Sequence, residues 1–281
     1  MPELPEVETV RRGLEQQTAG FQIEGVEVLR ARTIAHPAEP EVFSTALTGC
    51  HVSTWERRGK YLLGNLRRGS QSGGCWGVHL RMTGQFRWIA SDVPSCPHTR
   101  VRFWNRQGNE LRFVDTRSFG QMWWVPPQVP AEEIITGLQR LGPEPFSENF
   151  NSSYLKQKLQ TTRRPIKSAL LDQSLVAGVG NIYADEALFT AGIAPQTPAA
   201  QLEQSQLEKL QRALVQVLEN SIGAGGTTFS DFRDLKGSNG NYGGVALVYR
   251  RAGEPCRQCG TTIQRQKLSG RSSHWCPSCQ L

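Results

Sequence analysis

No stretch of this chain stays apolar long enough to cross a bilayer, and no apolar run follows basic residues at its amino end. With neither an anchor nor a secretory leader to read, the expectation is a soluble cytoplasmic protein with no membrane partner. Acidic residues are the scarce charge. There are 25 Asp and Glu against 32 Lys and Arg, giving a formal net charge of +7 and a pI near 9.2. That imbalance suits a polyanionic partner, although charge bears on affinity and not on fold. No internal repeat and no low-complexity block is present, which leaves ordinary globular domains. At 281 residues and 38% apolar content, the chain can bury a core as one large domain or two ordinary ones.

Cysteine is thin over most of the sequence. Cys50, Cys75 and Cys96 are scattered and read as ordinary buried or half-buried thiols. The other four are grouped as Cys256-x2-Cys259 and Cys276-x2-Cys279, with sixteen residues between the pairs. Each pair sets two thiolates on one turn, and two pairs close a tetrahedral site for one Zn2+. Four thiolates leave no open coordination position, so the metal is expected to be structural. From Arg250 to the end, six basic residues (Arg250, Arg251, Arg257, Arg265, Lys267, Arg271) face the single acid Glu254, a net of +5 before metal. Zinc with four thiolates contributes about −2, and the module remains basic.

Alternating apolar and polar residues predict strands over Phe21–Val28, Val52–Leu66, Trp76–Trp88, Arg100–Trp104, Leu111–Val114 and Gln121–Val125, with glycine and proline between several of them. Many short strands of this kind suggest a sandwich or barrel. After Val125 come Pro126, Pro127, Pro130, Pro143 and Pro145, and the pattern then turns helical. Ser152 or Ser153 can cap a helix over Tyr154–Gln160, Pro165 can open Ile166–Leu171, and Asn181 can cap Ile182–Phe189. Leu207, Leu210, Leu214, Val217 and Leu218 form one stripe of a longer helix ending at Gly223.

The amino end carries the chemistry of greatest interest. Met1 precedes a small residue, so its removal would leave Pro2 with a free secondary amine. An α-amino group titrates near 7.7–8.0, so a useful fraction is unprotonated at neutral pH and can attack a carbonyl-level carbon. Glu3, Glu6 and Glu8 crowd the same turn. Val7, Val10 and Leu14 recur at helical spacing. On these residues alone the plainer reading is favoured: Pro and Glu start a helix well.

The run Met-Pro-Glu-Leu-Pro-Glu-Val-Glu-Thr-Val resembles the start of the formamidopyrimidine-DNA glycosylase family, enzymes that excise oxidised purines. The resemblance extends to Arg57-Arg58-Gly59-Lys60-Tyr61, His79-Leu-Arg-Met82-Thr-Gly84, Asp115-Thr-Arg117-Ser-Phe119-Gly120, Leu171 through Glu186, and the cysteine hairpin. It implies an α+β fold with four parts. Residues 1–130 would form an N-terminal β-sandwich with a catalytic helix at its start, and 131–150 a linker. A helix–two-turn–helix domain with a lesion-recognition loop would take 151–245, and a zinc-finger β-hairpin 246–281.

It also implies roles: Pro2 as nucleophile, Glu3 as acid and base, Lys60 and Arg271 on phosphates during elimination, and Glu6, with Glu186, orienting the site. Met82, Arg117 and Phe119 would fill the space left by an extruded nucleotide, a space that otherwise loses stacking energy. Judged without the resemblance, Met82 and Phe119 read as core residues. His79, His98, Arg163, Lys167 and Asn181 would touch DNA, and Arg164 would add a contact. The family often has Asp-Pro-Arg-Arg-Phe-Gly where this chain has Thr116 and Ser118. Thr227 through Tyr242 corresponds to the recognition loop, and its glycines over 237–241 predict disorder without DNA. The implied partner is damaged double-stranded DNA, bound by a monomer that works in the bacterial cytoplasm and on the nucleoid. An endonuclease VIII-like enzyme for oxidised pyrimidines and a non-catalytic zinc-containing DNA binder remain as alternatives.

Overall fold

The structure is a computed structural model, and it describes residues 1–90, 92–227, 233–235 and 237–281. The first helix, α1 (Leu4–Gln17), buries Leu4, Val7, Val10 and Leu14 along one face. That stripe is the reason a helix forms here. It packs on β3 (His51–Arg58), where Trp55 donates through Nε1 to Thr18 Oγ1 at 3.0 Å and through its backbone N–H to Glu15 at 2.8 Å.

The strands in chain order are β1 (Gly25–Val28), β2 (Ile34–His36), β3, β4 (Tyr61–Arg68), β5 (Gln71–His79), β6 (Gly84–Ala90), β7 (Thr99–Trp104), β8 (Asn109–Asp115) and β9 (Gln121–Val125). They form two sheets, ordered β1-β7-β8-β6 and β2-β9-β5-β4-β3. Inward side chains of both sheets make one core that includes Val52, Trp55, Leu62, Trp76, Val78, Phe86, Val101, Phe103, Leu111, Phe113 and Met122. Trp76 stacks on Phe103 at 4.4 Å between centroids and meets Phe86 edge-on at 5.9 Å. This is the expected sandwich.

A short helix that periodicity did not reveal, α2 (Pro40–Leu47), closes one side with Phe43 and Leu47 fully buried. The short helix α3 (Ala131–Ile134) follows the proline patch.

The later helices are α4 (Ser152–Leu159), α5 (Ile166–Leu170), α6 (Asn181–Ala191) and α7 (Gln204–Gly223). Two caps differ from the sequence reading. Asn151, one residue earlier than expected, accepts the Tyr154 N–H at 2.9 Å. Gly180 occupies the cap of α6, so Asn181 is its first helical residue. Helix α6 is buried nearly all round and lies on α7, whose stripe of Leu207, Leu210, Leu214, Val217 and Leu218 is buried as expected. The last strands, β10 (Gln264–Leu268) and β11 (Arg271–Trp275), pair antiparallel through a two-residue turn. Both turn residues, Ser269 and Gly270, have positive φ (48° and 77°), the geometry whose twist matches paired strands.

The chain divides into two compact units: Met1–Gln139 with Gly225–Asn241, and Arg140–Ala224 with Tyr242–Leu281. Residues 225–241, grouped by sequence order with the helical part, therefore belong to the sandwich unit. Among the described residues no helix is long and apolar enough to cross a membrane.

Candidate active site and DNA interface

In the first unit, Pro2 is buried and Glu3 is 3% exposed, at the start of α1. Glu3 is the cap residue, and its N–H donates to Glu6 Oε2 at 2.8 Å. The other Glu6 oxygen accepts the Thr227 N–H at 2.8 Å. Glu6 thereby accepts a backbone N–H on each oxygen, one from Glu3 and one from Thr227. A Cβ on Gly226 (φ 81°) would lie 3.2 Å from Glu6, so that glycine permits the close approach.

Glu8, on the next part of α1, collects Arg11, Arg12 and Arg57. Burial alone would raise its pKa, but hydrogen bonds from Arg11 and Arg12 outweigh it and leave the carboxyl below its ordinary range. Arg57 also donates to the Gly59 carbonyl at 3.2 Å. This strap fastens the β3–β4 turn, which carries Lys60, to α1. Gly59 has φ 55° in that turn, and Lys60 is 7% exposed.

His79 ends β5 opposite Tyr61, and the two rings meet edge-on at 4.6 Å. Its Nδ1 accepts the Arg81 N–H at 2.9 Å, which puts the proton of the neutral ring on Nε2. Burial first, then the Arg81 and Lys60 charges, hold its pKa down to about 3. An unfolded histidine protonates near 6.5, so folding loses stability as pH drops from 6.5 toward 3 and retains all of it above 6.5. At about pH 5 the loss from this one group is about 2 kcal/mol. Denaturant titrations of wild type and His79→Gln at neutral pH and at about pH 5 should differ in their pH dependence by that amount. Equal slopes would contradict the assignment.

Met82 is half-buried, while Arg117 and Phe119 are exposed, Phe119 by 43%. The core reading of Phe119 is thus replaced by a projecting ring, with the Arg117 guanidinium 4.8 Å from its centroid. His98 is exposed beside Arg100, and its carbonyl accepts the Asp115 N–H at 2.9 Å. Of the expected recognition loop, 228–232 and 236 lie outside the described residues. Its described ends make specific contacts: Thr227 bridges Asn241, Leu235 joins the sandwich core, and Ser238 N–H donates to Asp234 at 2.7 Å. Over the glycines of 237–241, Asp234 closes a turn around Gly237 and Ser238, its carbonyl accepting the Gly237 N–H at 3.0 Å. Cys96 is exposed rather than buried, and burial pushes the Cys75 thiol up to about 12.

In the second unit, Arg163 is exposed, and Arg164 is exposed but paired with Asp172 at 3.0 Å. Lys167 is a correction. Expected on a phosphate, it is 1% exposed, its Nζ lies 2.7 Å from Asp185 Oδ1, and it donates to the Ser272 carbonyl at 2.5 Å. The other Asp185 oxygen takes the backbone N–H of His274 at 3.0 Å and faces its Nδ1 at 3.1 Å. A charge this deep is held by its partner. Lys167 and Asp185 therefore fasten β11, which begins with Arg271, to α5 and α6. Glu186 accepts the N–H groups of Leu247, Val248 and Tyr249 at 2.7–2.9 Å. Asp185 and His274 were not singled out from sequence. The available signal was two adjacent acids within an otherwise apolar helix.

Asn181 stands at the N-terminal turn of α6, and its shielded Oδ1 has no hydrogen-bond partner among the described residues. Arg271 is exposed at the hairpin turn. The four sulfurs of Cys256, Cys259, Cys276 and Cys279 lie within 4.8 Å of one another, with Cys256–Cys279 at 3.9 Å and Cys259–Cys276 at 3.4 Å. A tetrahedral zinc with bonds of about 2.3 Å needs sulfurs about 3.8 Å apart, so the set fits one Zn2+. Both turns are closed by backbone bonds, Gly260 N–H to Cys256 and Gln280 N–H to Cys276.

A buried Pro2 and Glu3 at the start of α1, the exposed Arg117 and Phe119 of the sandwich unit, and a basic hairpin beside four clustered cysteines are the features that the resemblance implied, and the class it points to is a DNA glycosylase. Residues 1–122 match the formamidopyrimidine-DNA glycosylase N-terminal domain, 141–233 its H2TH domain, and 253–281 the zinc finger found in FPG and IleRS. Curated formamidopyrimidine-DNA glycosylases of Parasynechococcus marenigrum (strain WH8102) and Prochlorococcus marinus (strain MIT 9313) are 66% and 62% identical, with both chains covered completely in each case. A crystal structure of Lactococcus lactis Fpg with DNA containing an abasic site aligns with TM-score 0.89 at 35% identity, covering 99% of each chain. The chain belongs to the formamidopyrimidine-DNA glycosylase family.

Proposed function

We propose that this DNA glycosylase of base excision repair removes oxidised purines from duplex DNA through Pro2 and then breaks the strand at the abasic sugar. The observation carrying this reading is the amino end: a buried proline followed by a buried glutamate, held in place by Glu6. After loss of Met1, the Pro2 nitrogen lone pair forms a bond to C1′ of the extruded nucleotide, and the base leaves with the electrons of the glycosidic bond. Glu3 delivers a proton to the ring oxygen as the sugar opens to an iminium, and later takes one from C2′. Loss of that proton expels the 3′ phosphate, and a second elimination expels the 5′ phosphate.

Lys60 and Arg271 neutralise the phosphates that leave. Asn181, Arg163 and the N-terminal turn of α6 hold backbone phosphates, and His79 and His98 stand close to the strand. The functional segments are 1–130, 131–150, 151–245 and 246–281, with 225–241 of the third folded into the sandwich unit, and the work is done in the cytoplasm, on the nucleoid. Zn2+ held by Cys256, Cys259, Cys276 and Cys279 would supply a rigid base for the hairpin. Solved Lactococcus lactis relatives hold Fapy-dG DNA and, in another complex, oxidised-pyrimidine DNA. Borohydride trapping on duplexes carrying 8-oxoguanine, Fapy-dG or thymine glycol tests the reading. Covalent capture strongest on the purines is expected. Preference for thymine glycol would favour the pyrimidine alternative, and no capture at all would favour a plain DNA binder.

A further inference from the structure

Two short loops carry the wedges: Leu80–Thr83 between β5 and β6, and Thr116–Gly120 between β8 and β9. Each crosses from one sheet of the sandwich to the other. Strand register puts them side by side, because Gly84 faces Asp115 and His79 faces Gln121. A single carboxylate lies between them. Asp115 is 1% exposed, and its Oδ1 takes the Thr83 hydroxyl at 2.5 Å and the Arg117 N–H at 3.2 Å. Its Oδ2 takes the Gly120 N–H at 2.7 Å. The Thr83 oxygen in turn accepts the Arg117 N–H at 3.1 Å. The carbonyl of Asp115 accepts Arg100 Nε at 2.7 Å, which brings the His98 segment into the same knot.

Both loops also hold a non-glycine residue in the left-handed region, Arg81 and Ser118, each at φ 53°. Such backbone persists only where the surroundings over-determine it. Thr116 stands where a proline would have stiffened the second loop by itself, so its shape depends on these bonds.

We propose that Asp115, acting through Thr83, is the positioning residue that assembles Met82, Arg117 and Phe119 into one wedge before DNA arrives. Loops already in their bound shape lose less entropy on entering the stack. The proposal rests on the glycosylase reading, and its test separates the two. Asp115→Asn and Thr83→Val are assayed on a lesion duplex and on a single-stranded oligonucleotide with one abasic site, where no stacked helix has to be held open.

Both variants should lower kcat/KM on the duplex by about 10²-fold, the size of effect that follows displacement of a positioned group by about 1 Å. Cleavage of the single strand should not change. Thr83→Ser, which keeps the hydroxyl, should restore the duplex rate, and the double variant should be no worse than either single one. Equal losses on both substrates would reduce Asp115 to a support of the fold and overturn the proposal, as would an unaffected duplex rate. A wild-type protein that cuts neither substrate would instead overturn the glycosylase reading.

Discussion

Replacing Pro2 with glycine should lower strand cleavage at an oxidised purine by at least about 10²-fold and weaken borohydride trapping in parallel, with duplex affinity unchanged. Glycine leaves an amine at the same place, so the variant isolates what the ring contributes. A secondary amine yields an iminium that is cationic without further protonation. Pro2 is also buried at the start of α1, and its ring removes a backbone rotation that a terminal glycine keeps. Stopped-time cleavage of a labelled duplex, run beside a filter-binding titration, measures both quantities. Cleavage within about threefold of wild type would remove Pro2 from the nucleophile's role, since a displaced nucleophile costs far more than that.

The second large effect is expected at the metal. A two-stranded hairpin alone is marginal in water, and here the apolar support beneath it is small: Phe189, Val248 and Ile263 with Cys256 and Cys276. Zinc bound by four thiolates supplies an apparent 10–16 kcal/mol at neutral pH in peptides of this kind, roughly the whole stability of such a module. Cys256→Ser should therefore lose stoichiometric zinc and unfold β10–β11 while the sandwich core stays intact. The arginines of the hairpin then cease to act together on DNA. The plot of log affinity against log salt should become shallower by about 1 for each phosphate that the hairpin no longer neutralises. Metal analysis after dialysis, together with that salt series, checks the prediction. A variant with full zinc content, or one with an unchanged slope, would contradict it.

Much of this molecule could be read before any coordinates. Arg100–Phe103 alternates in burial as it does in polarity, and the leucine stripe of α7 is buried residue for residue. The four cysteines announced their site by spacing alone, because two tight turns carrying paired thiolates have little else to do in that context. Helix α2 escaped notice because its apolar signal is essentially one pair, Phe43 and Leu47, in an eight-residue segment. Caps were misplaced by one residue, as is usual where several small polar residues adjoin.

The larger gaps concern buried polar groups. Lys167 looks like any phosphate-seeking lysine in the sequence, and only the fold supplies Asp185 beneath it. Thr83 and Asp115 lie 32 residues apart, and nothing local shows that sheet register brings them to 2.5 Å. Phe119 shows the opposite case. Its residue type argues for the core, and the fold leaves the ring exposed.

Catalysis through Pro2 requires a covalent bond between the processed amino terminus and a deoxyribose carbon. The most direct test is mass spectrometry of the borohydride-trapped complex after proteolysis, read together with the terminus of the active protein. The adduct is predicted on the nitrogen of Pro2, in a peptide from which Met1 is gone. An adduct on Lys60 or any other lysine, or full activity in protein that still carries Met1, would contradict it.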